Sequence, residues 1–362
     1  MTRLALVLPR NMRFSPLTAT AVDLCAHDYA RASGLEVVVF ARPVAAAFDD
    51  VALRPVERRV LRLLRRRSDF AAAIAALAPD AILVEQYAPE AAALARAFPR
   101  TPVLLRRHGL QKPPSAPWKR LAVRRRLGRL AGIVAVSEAV RGSLAGLCGA
   151  QALTVVPNGL DTAAWRPAAT RAKTIAFAGR LAPEKGVAEA VEAVAATLAG
   201  RPEWSARFLF AEPGVHPALR ERVVARAAAA GGGRITLAFD RPHAEVQALF
   251  EHAAIVLVPS VWPEPFGRTA IEAMAGGAAL LTSATGGLGE IVASRGGAPV
   301  AEVVDPGDHA AFATALARLC DDRAGRERLA AAGRHHVAAH YDIHRTAAMI
   351  DRIVVDAAAS AV

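Results

Sequence analysis

Short, continuously apolar segments alternate with longer amphipathic segments along most of this 362-residue sequence. In the first half the apolar segments are Leu4–Leu8, Glu36–Phe40, Ala81–Val84, Val103–Leu105, Ile133–Val136 and Thr154–Val156. Strands that are apolar on both faces are typical of a parallel sheet covered by helices on each side, because a strand with one solvated face alternates apolar and polar residues instead. The pattern predicts an α/β fold.

A segment rich in Ala, Thr and Pro, residues 162–172, interrupts this alternation. The alternation then begins again, with strands predicted at Thr174–Ala178, Arg207–Ala211, Ile235–Ala238, Ile255–Pro259 and Ala279–Ser283. The chain is also longer than one hydrophobic core usually serves, so we predict two doubly wound, Rossmann-like domains at residues 1–165 and 171–340. Ligands bind at the carboxyl ends of the strands in such sheets, so we expect the two domains to face a central cleft that holds the active site.

Composition excludes several other classes of protein. A hydrophobic content of 53% excludes a disordered chain, and no apolar stretch reaches the roughly 18 residues that a membrane-spanning helix requires. Three widely separated cysteines predict neither a disulfide framework nor a cysteine metal site, so a cytoplasmic protein is expected. His336, His340 and His344 recur every four residues, as on one helix face, but no set of carboxylates accompanies them, and we predict no metal site.

The segment from Ile175 to Gly186 joins a predicted strand to a predicted helix through a turn that contains glycine. Arg180 and Lys185 in this turn place two cations beside a helix N-terminus, and this arrangement suits a diphosphate. A solvated turn before a helix is the alternative interpretation of these residues alone.

A second segment carries two glutamates with seven residues between them. Pro263 and Pro265 flank Glu264 and restrict its backbone, and Gly267 precedes a predicted helix that contains Glu272. A carboxylate there can accept paired hydrogen bonds from a ribose diol. Alternatively, the segment is a helix start followed by a surface glutamate. Residues 285–290 repeat the arrangement of strand, glycine turn and helix start with an acid.

Together these segments resemble the retaining glycosyltransferases of the GT-B type, family 4, over most of the second half of the chain. The resemblance implies a nucleotide-diphosphate sugar donor bound by the C-terminal domain, with no metal or other cofactor expected. It assigns Arg180, Lys185 and Gly267 to the donor phosphates. It also assigns Glu264 to the sugar, as a catalytic residue, and Glu272 to the ribose.

The first half resembles the family less closely. His108 follows a strand and corresponds to a histidine that relatives place near the reacting sugar, although a lone histidine at a strand end is more often structural. Relatives carry a glycine pair after the first strand, and this chain has none. Either the acceptor-binding loop is built differently, with Arg10, Asn11 or Arg13 substituting for the glycines, or closure on the donor is altered. Residues 341–362 are expected to form helices that cross back to the N-terminal domain.

These observations predict an enzyme that moves a sugar from a nucleotide-diphosphate sugar to a glycan or lipid-linked acceptor, in envelope polysaccharide or glycolipid synthesis. Two alternatives remain open. One is a nucleotide-sugar epimerase on the same scaffold, and the other is a catalytically silent nucleotide-sugar-binding protein, which the missing glycine pair would permit.

The net positive charge of the chain is confined to its first half. Residues 1–170 contain 25 Lys and Arg against 12 Asp and Glu, whereas residues 171–362 contain 20 against 21. Segments 57–67 and 118–129 interleave arginine with aliphatic residues, and this predicts a reversible contact with an anionic membrane surface. A solvated arginine-rich face is the alternative. No nucleic-acid motif is present, so nucleic acid is not an expected partner.

Overall fold

The computed structural model describes residues 1–9, 12–57, 68–149, 152–212, 214–294 and 297–360. The chain divides into two compact units. Unit 1 comprises Met1–Leu160 and Asp342–Val362, and unit 2 comprises Asp161–Tyr341. Each unit is built on a parallel sheet, and the predicted α/β class with two Rossmann-like sheets is confirmed.

Unit 1 contains a sheet of seven described strands in the order β3-β2-β1-β4-β5-β6-β7. The strands are β1 Arg3–Val7, β2 Glu36–Ala41, β3 Leu53–Pro55, β4 Ala81–Glu85, β5 Val103–Arg107, β6 Gly132–Ala135 and β7 Ala152–Val155. The helices between them are α1 Ala21–Ala32, α2 Ala71–Ala75, α3 Ala88–Ala97, α4 Pro117–Leu127 and α5 Glu138–Ser143. The strand order reverses between β1 and β4, which makes their carboxyl ends the switch point of this sheet.

Both faces of this sheet are covered, as the apolar strands predict. Ala5 and Val7 of β1 belong to one hydrophobic cluster, and Leu4 and Leu6 belong to another. Successive side chains of a strand point to opposite faces, so a strand between two clusters must be apolar at every position.

Unit 2 contains a sheet of six described strands in the order β10-β9-β8-β11-β12-β13. Its strands are β8 Ala172–Arg180, β9 Ser205–Ala211, β10 Ile235–Phe239, β11 Ala253–Val258, β12 Ala279–Ser283 and β13 Glu302–Val304. Its helices are α6 Val187–Ala199, α7 Pro217–Ala229, α8 His243–His252, α9 Arg268–Ala275, α10 Gly287–Val292, α11 His309–Asp321 and α12 Arg323–His340. The order reverses between β8 and β11, which makes their carboxyl ends the switch point of this sheet. The segment with Lys185 follows β8, and the segment with Glu264 follows β11.

The final helix, α13 (Ile343–Ala359), belongs to unit 1. Its Asp351 accepts hydrogen bonds from the Tyr29 hydroxyl at 2.9 Å and from the Gly34 backbone N–H at 2.7 Å. A Cβ added at Gly159 would lie 2.7 Å from the Cα of Ile343. The glycine of the Pro-Asn-Gly segment therefore permits close packing against α13.

The expectation that three histidines share one helix face is wrong. α12 ends at His340 and α13 begins at Ile343, so His344 lies on a different helix. Asp342 causes the break, because its side chain accepts the backbone N–H groups of the first turn of α13. His336 is buried and its Nε2 lies 2.9 Å from the Ile291 carbonyl oxygen.

Among the described residues, no helix combines the length and apolar character needed to cross a membrane.

Candidate functional site

Two loops of unit 2 approach each other at the switch point of its sheet. β8 leads into a 3₁₀ turn, Pro183–Lys185, which ends at Gly186 with φ of 62°. A Cβ added at Gly186 would lie 2.1 Å from the carbonyl oxygen of Pro259, directly after β11. Only glycine fits both the left-handed backbone and this close approach. The contact brings Lys185 to Glu264, with Nζ and Oε1 2.5 Å apart.

Glu264 is held from several sides. It is 6% exposed, and its Oε1 also accepts a hydrogen bond from the Ser260 hydroxyl at 2.5 Å. Its backbone carbonyl accepts the Gly287 N–H at 2.7 Å, and a Cβ at Gly286 would lie 2.4 Å from that same oxygen. The glycines of segment 285–290 thus allow two backbones to pack together. The Glu264 carboxylate is therefore fixed beside the Lys185 cation.

Glu272 lies on α9 and is 4% exposed. Its Oε1 accepts hydrogen bonds from Arg268 Nε at 2.7 Å and from His243 Nε2 at 2.9 Å. Burial by itself raises the pKa of Glu272, but the charges and hydrogen bonds of His243 and Arg268 outweigh burial and leave the pKa below its ordinary value. Glu272 is thus a buried, ionised hydrogen-bond acceptor. Gly267, with φ of 115°, caps the start of α9.

Arg180 occupies a different environment from Lys185. It is half-exposed, and it contacts Glu184 at 3.0 Å and Glu212 at 4.0 Å. Glu212 has a left-handed backbone with φ of 56°, which is uncommon for a residue with a side chain. The two predicted phosphate-binding cations are therefore held by different carboxylates, and their joint role at a diphosphate stays a prediction.

In unit 1, His108 directly follows β5, and its Nε2 lies 2.6 Å from Oε2 of Glu85, the last residue of β4. Both side chains are buried, and Arg106 Nη1 lies 3.7 Å from Glu85 Oε1. Burial, and to a lesser degree Arg106 and Arg107, lowers the pKa of His108 despite the opposing effect of Glu85. The imidazole is therefore neutral at pH 7. Because a carboxylate only accepts, Nε2 carries the proton and Nδ1 is an acceptor.

Gln86 fixes the same loop. Its Oε1 accepts the backbone N–H groups of His108 at 2.8 Å and Gly109 at 3.0 Å, and its own backbone is left-handed with φ of 62°. A left-handed residue other than glycine costs free energy and persists where its surroundings hold it. Neither Glu85 nor Gln86 is among the residues predicted for the site. A polar pair directly after the apolar strand Ala81–Val84 is the signal that would have found them.

The predicted acceptor loop is described only in part. Arg10 and Asn11 lie outside the described residues. Arg13 is exposed and lines a cavity of about 1150 Å³ in unit 1, which Arg42, Asp69 and Glu90 also line.

The two predicted membrane-contact segments differ in how much can be described. Residues 58–67 of the first lie outside the described residues. The second coincides with α4, on which Trp118 is 71% exposed and Leu121 is also exposed.

No group of three or more His, Cys, Asp or Glu suited to a metal ion occurs within the described parts of the chain. The metal independence expected from the sequence stays a prediction, because the phosphates of a substrate can also coordinate a metal ion.

Sequence comparison identifies two family matches that follow one another along the chain. Residues 21–164 match Glycosyltransferase Family 4, and residues 164–336 match Glycosyl transferases group 1. The chain is 32% identical over 208 residues to a glycogen synthase of Mycobacterium tuberculosis, covering 52% of this chain and 45% of that protein. It is also 32% identical over 246 residues to a 2-deoxystreptamine glucosyltransferase of Streptomyces kanamyceticus, covering 60% and 61% respectively. The chain thus spans about half the length of the curated relatives it matches.

Structural comparison extends over the whole chain. Sucrose-phosphate synthase from Thermosynechococcus elongatus superimposes with a TM-score of 0.79 at 20% identity, covering 99% of this chain and 100% of that one. HepE of Anabaena, in complex with UDP and glucose, gives a TM-score of 0.78 at 17% identity, covering 98% and 100%. These likenesses confirm the predicted GT-B fold.

Proposed function

Because the chain belongs to glycosyltransferase family 4, we propose that it transfers a hexosyl residue from a nucleotide-diphosphate sugar to a glycan or lipid-linked acceptor, with retention of anomeric configuration. The observation that carries the proposal is the pair Glu264 and Glu272. Both carboxylates are buried near the switch point of the unit 2 sheet, and each is held by a cation, Lys185 and Arg268 respectively.

In this proposal unit 2 binds the donor. The leaving diphosphate develops negative charge as the sugar departs, and Arg180, Lys185 and the N-terminus of α9 after Gly267 stabilise that charge. Glu272 accepts hydrogen bonds from the ribose hydroxyls, and Glu264 contacts the sugar. UDP-glucose is the first donor to test, because HepE was solved in complex with UDP and glucose and in complex with UDP-glucose.

Unit 1 is proposed to supply His108 and the acceptor site. The neutral imidazole with its proton on Nε2 presents Nδ1 as an acceptor for a sugar hydroxyl. Glu85 holds this tautomer and the ring orientation through the 2.6 Å contact. Since no enzymic nucleophile is assigned, retention is proposed to result from attack on the face that the nucleotide leaves.

The acceptor is not fixed by the relatives, whose names include a glycogen synthase, a 2-deoxystreptamine glucosyltransferase and a lipopolysaccharide core mannosyltransferase. We propose a role in envelope polysaccharide or glycolipid synthesis at the inner face of the membrane, supported by the exposed Trp118 and Leu121 of α4 beside Lys119 and Arg120. Flotation with anionic vesicles, fading at high salt, is expected. Salt-insensitive behaviour, or no binding, would favour a soluble acceptor.

Nucleotide binding and turnover on the purified full chain test the proposal together. In a thermal-shift series with UDP, GDP, ADP and TDP, one of the four nucleotides should raise the unfolding temperature of the protein. A ligand that binds only the folded state raises the apparent stability of that state. Donor turnover followed by NMR should then release the nucleoside diphosphate and yield a product with the donor's anomeric configuration. Inversion would refute retention. Binding without turnover would favour the catalytically silent alternative, and a changed donor sugar still joined to its nucleotide would favour the epimerase.

A further inference from the structure

A cavity of about 470 Å³ lies at the carboxyl edge of the unit 1 sheet. Residues from three strand ends and from α4 line it, among them Thr20, Gln86, Tyr87, Arg107, Gln111 and Arg126. Gln86 also binds the backbone of His108, so the wall of this cavity and the proposed catalytic histidine share one side chain. The cavity is thus continuous with the part of unit 1 to which acceptor binding is assigned.

The charges that line this cavity have one sign. Arg107 and Arg126 are the charged groups among its described lining residues, and no carboxylate accompanies them. Arg107 Nη1 donates to the Gln86 carbonyl at 2.7 Å and Nη2 donates to the Leu110 carbonyl at 3.4 Å. These two carbonyls fix the guanidinium in place without neutralising it. Burial lowers the pKa of Arg107, as expected for a cation without a counter-ion.

Two other arginines of unit 1 are paired with carboxylates. Arg42 pairs with Asp69 at 2.7 Å, and Arg141 pairs with Glu138 at 2.6 Å. The neighbouring cavity of about 1150 Å³, which shares Tyr87 with the smaller one, is lined by both signs of charge. A partly buried cation without a counter-ion is costly, and an anionic ligand reduces that cost. The smaller cavity is therefore complementary to an anion, whereas the larger one suits a neutral, hydroxylated body.

We propose that this cavity binds a phosphate group carried by the acceptor, with Arg107 and Arg126 as its two cationic contacts. The inference rests on the proposed function, because it names the class of acceptor for the acceptor-binding unit. Arginine suits this task because its planar fork of donors matches the oxygens of phosphate. The Arg107 guanidinium is already held in place by the two carbonyls. Arg126 lies in the last turn of α4 and would contact the phosphate from the exposed side of the cavity.

Calorimetry with a matched pair of probes tests the proposal. Glucose 6-phosphate and glucose are titrated into the full chain in the presence of saturating UDP, which occupies the proposed phosphate site of Arg180 and Lys185. We expect the phosphorylated sugar to bind at least about 10-fold more tightly, since hydrogen bonds to charged groups are the stronger class. Equal affinities for the two sugars would overturn the proposal.

Substitutions locate the effect. Arg107→Gln and Arg126→Gln should each weaken glucose 6-phosphate binding by about 10-fold or more and leave glucose and UDP binding unchanged. Arg124→Gln and Arg125→Gln are matched controls, because they lie on the same helix but do not line the cavity. Arg107→Lys keeps the charge and should retain part of the affinity. Equal losses in the control variants would overturn the assignment to this cavity.

The phosphate can belong to a free sugar phosphate or to a lipid headgroup, and vesicles separate the two. Vesicles of phosphatidylinositol in phosphatidylcholine should compete with glucose 6-phosphate if the group is lipid-borne, and pure phosphatidylcholine should not. Arg107-dependent competition assigns a lipid source, because Arg107 lines the cavity and lies outside the proposed membrane-contact segment. The absence of competition with retained glucose 6-phosphate binding assigns a soluble source. Loss of UDP binding alone would refute the proposed donor site and leave this inference standing.

Discussion

The two units treat their buried charges differently. In unit 2 the carboxylates near the switch point are matched: Glu264 meets Lys185, and Glu272 meets Arg268 and His243. In unit 1 several buried polar atoms have no hydrogen-bond partner within the described residues. They are Asp23 Oδ1, Glu85 Oε1, Glu90 Oε1, Arg106 Nε and Nη1, and Arg107 Nε, whereas the corresponding atom in unit 2 is Thr285 Oγ1.

Under the proposed function, the donor site of unit 2 is the one whose buried carboxylates are already paired with cations. Buried polar groups are normally satisfied, so those that are not require a reason, such as a ligand that completes them. A donor nucleotide that is the same in every turnover suits the rigid, matched site of unit 2. We propose that specificity for the acceptor depends on the polar groups of unit 1.

The largest expected effect comes from the two cations of unit 2. Arg180→Ala combined with Lys185→Ala should lower kcat/KM by about 10² to 10⁴, because two charge-assisted contacts to the diphosphate are lost. Lys173→Ala with Arg207→Ala is the matched control, since both residues are exposed cations of neighbouring strands. Steady-state kinetics on variants with unchanged circular dichroism measure the effect. A folded double variant with near-normal kcat/KM would remove the phosphate assignment.

A somewhat smaller loss is expected from the unit 1 dyad. His108→Ala should lower kcat by about 10²-fold, within the range of positioned acid–base groups, with little change in UDP affinity. Glu85→Gln should lower kcat less, because a glutamine still contacts the ring but no longer enforces the tautomer. Its pH–rate profile should change shape, which a purely structural role would not produce. An active His108→Ala enzyme would return the histidine to a structural role.

The matched charges of unit 2 should also appear in folding stability. Glu272→Gln is expected to cost about 3 kcal/mol at pH 7, because a buried ion pair loses one partner. The pKa of Glu272 is lowered from an ordinary value of 4.5, so its contribution is complete above that value and is lost as pH falls through the lowered pKa. The gap between variant and wild type in urea unfolding should therefore narrow below pH 4.5. A similar gap at pH 3 and pH 7 would contradict the ion-pair account, and the exposed Glu221→Gln serves as control.

Chelation is expected to have the smallest effect. Arg180 and Lys185 already offer two cations to the diphosphate, and no metal-binding cluster occurs in the described parts of the chain. Transfer rates should be equal with and without excess EDTA. A strict requirement for Mg²⁺ or Mn²⁺ would show that the donor site is misread.

The sequence predicts the two sheets well, because continuous apolar strands leave few alternatives to burial on both faces. It does not predict β3 (Leu53–Pro55), a short edge strand with arginine and proline and no apolar pattern. The spacing of His336, His340 and His344 also suggests one helix where two exist around Asp342, although residues 341–362 are expected to form helices of their own. An aspartate that caps the residues after it is a signal for such a helix start.

The sequence predicts those parts of the candidate site whose residues lie close together along the chain. Glu264 and Glu272 lie within one short segment, so their spacing is visible in the sequence. The contact of Lys185 with Glu264 joins residues 79 positions apart, and that of Glu85 with His108 joins residues 23 apart. Such pairs depend on strand order, which apolar patterning does not encode.

We propose that Glu272 binds the ribose of the nucleotide and that Glu264 contacts the sugar, and calorimetry with UDP tests this assignment most directly. UDP carries the ribose but lacks the sugar. Glu272→Gln should therefore weaken UDP binding by about 10-fold or more, and Glu264→Gln should leave it nearly unchanged while lowering kcat. Equal losses of UDP affinity in the two variants, or a loss confined to Glu264→Gln, would contradict the account.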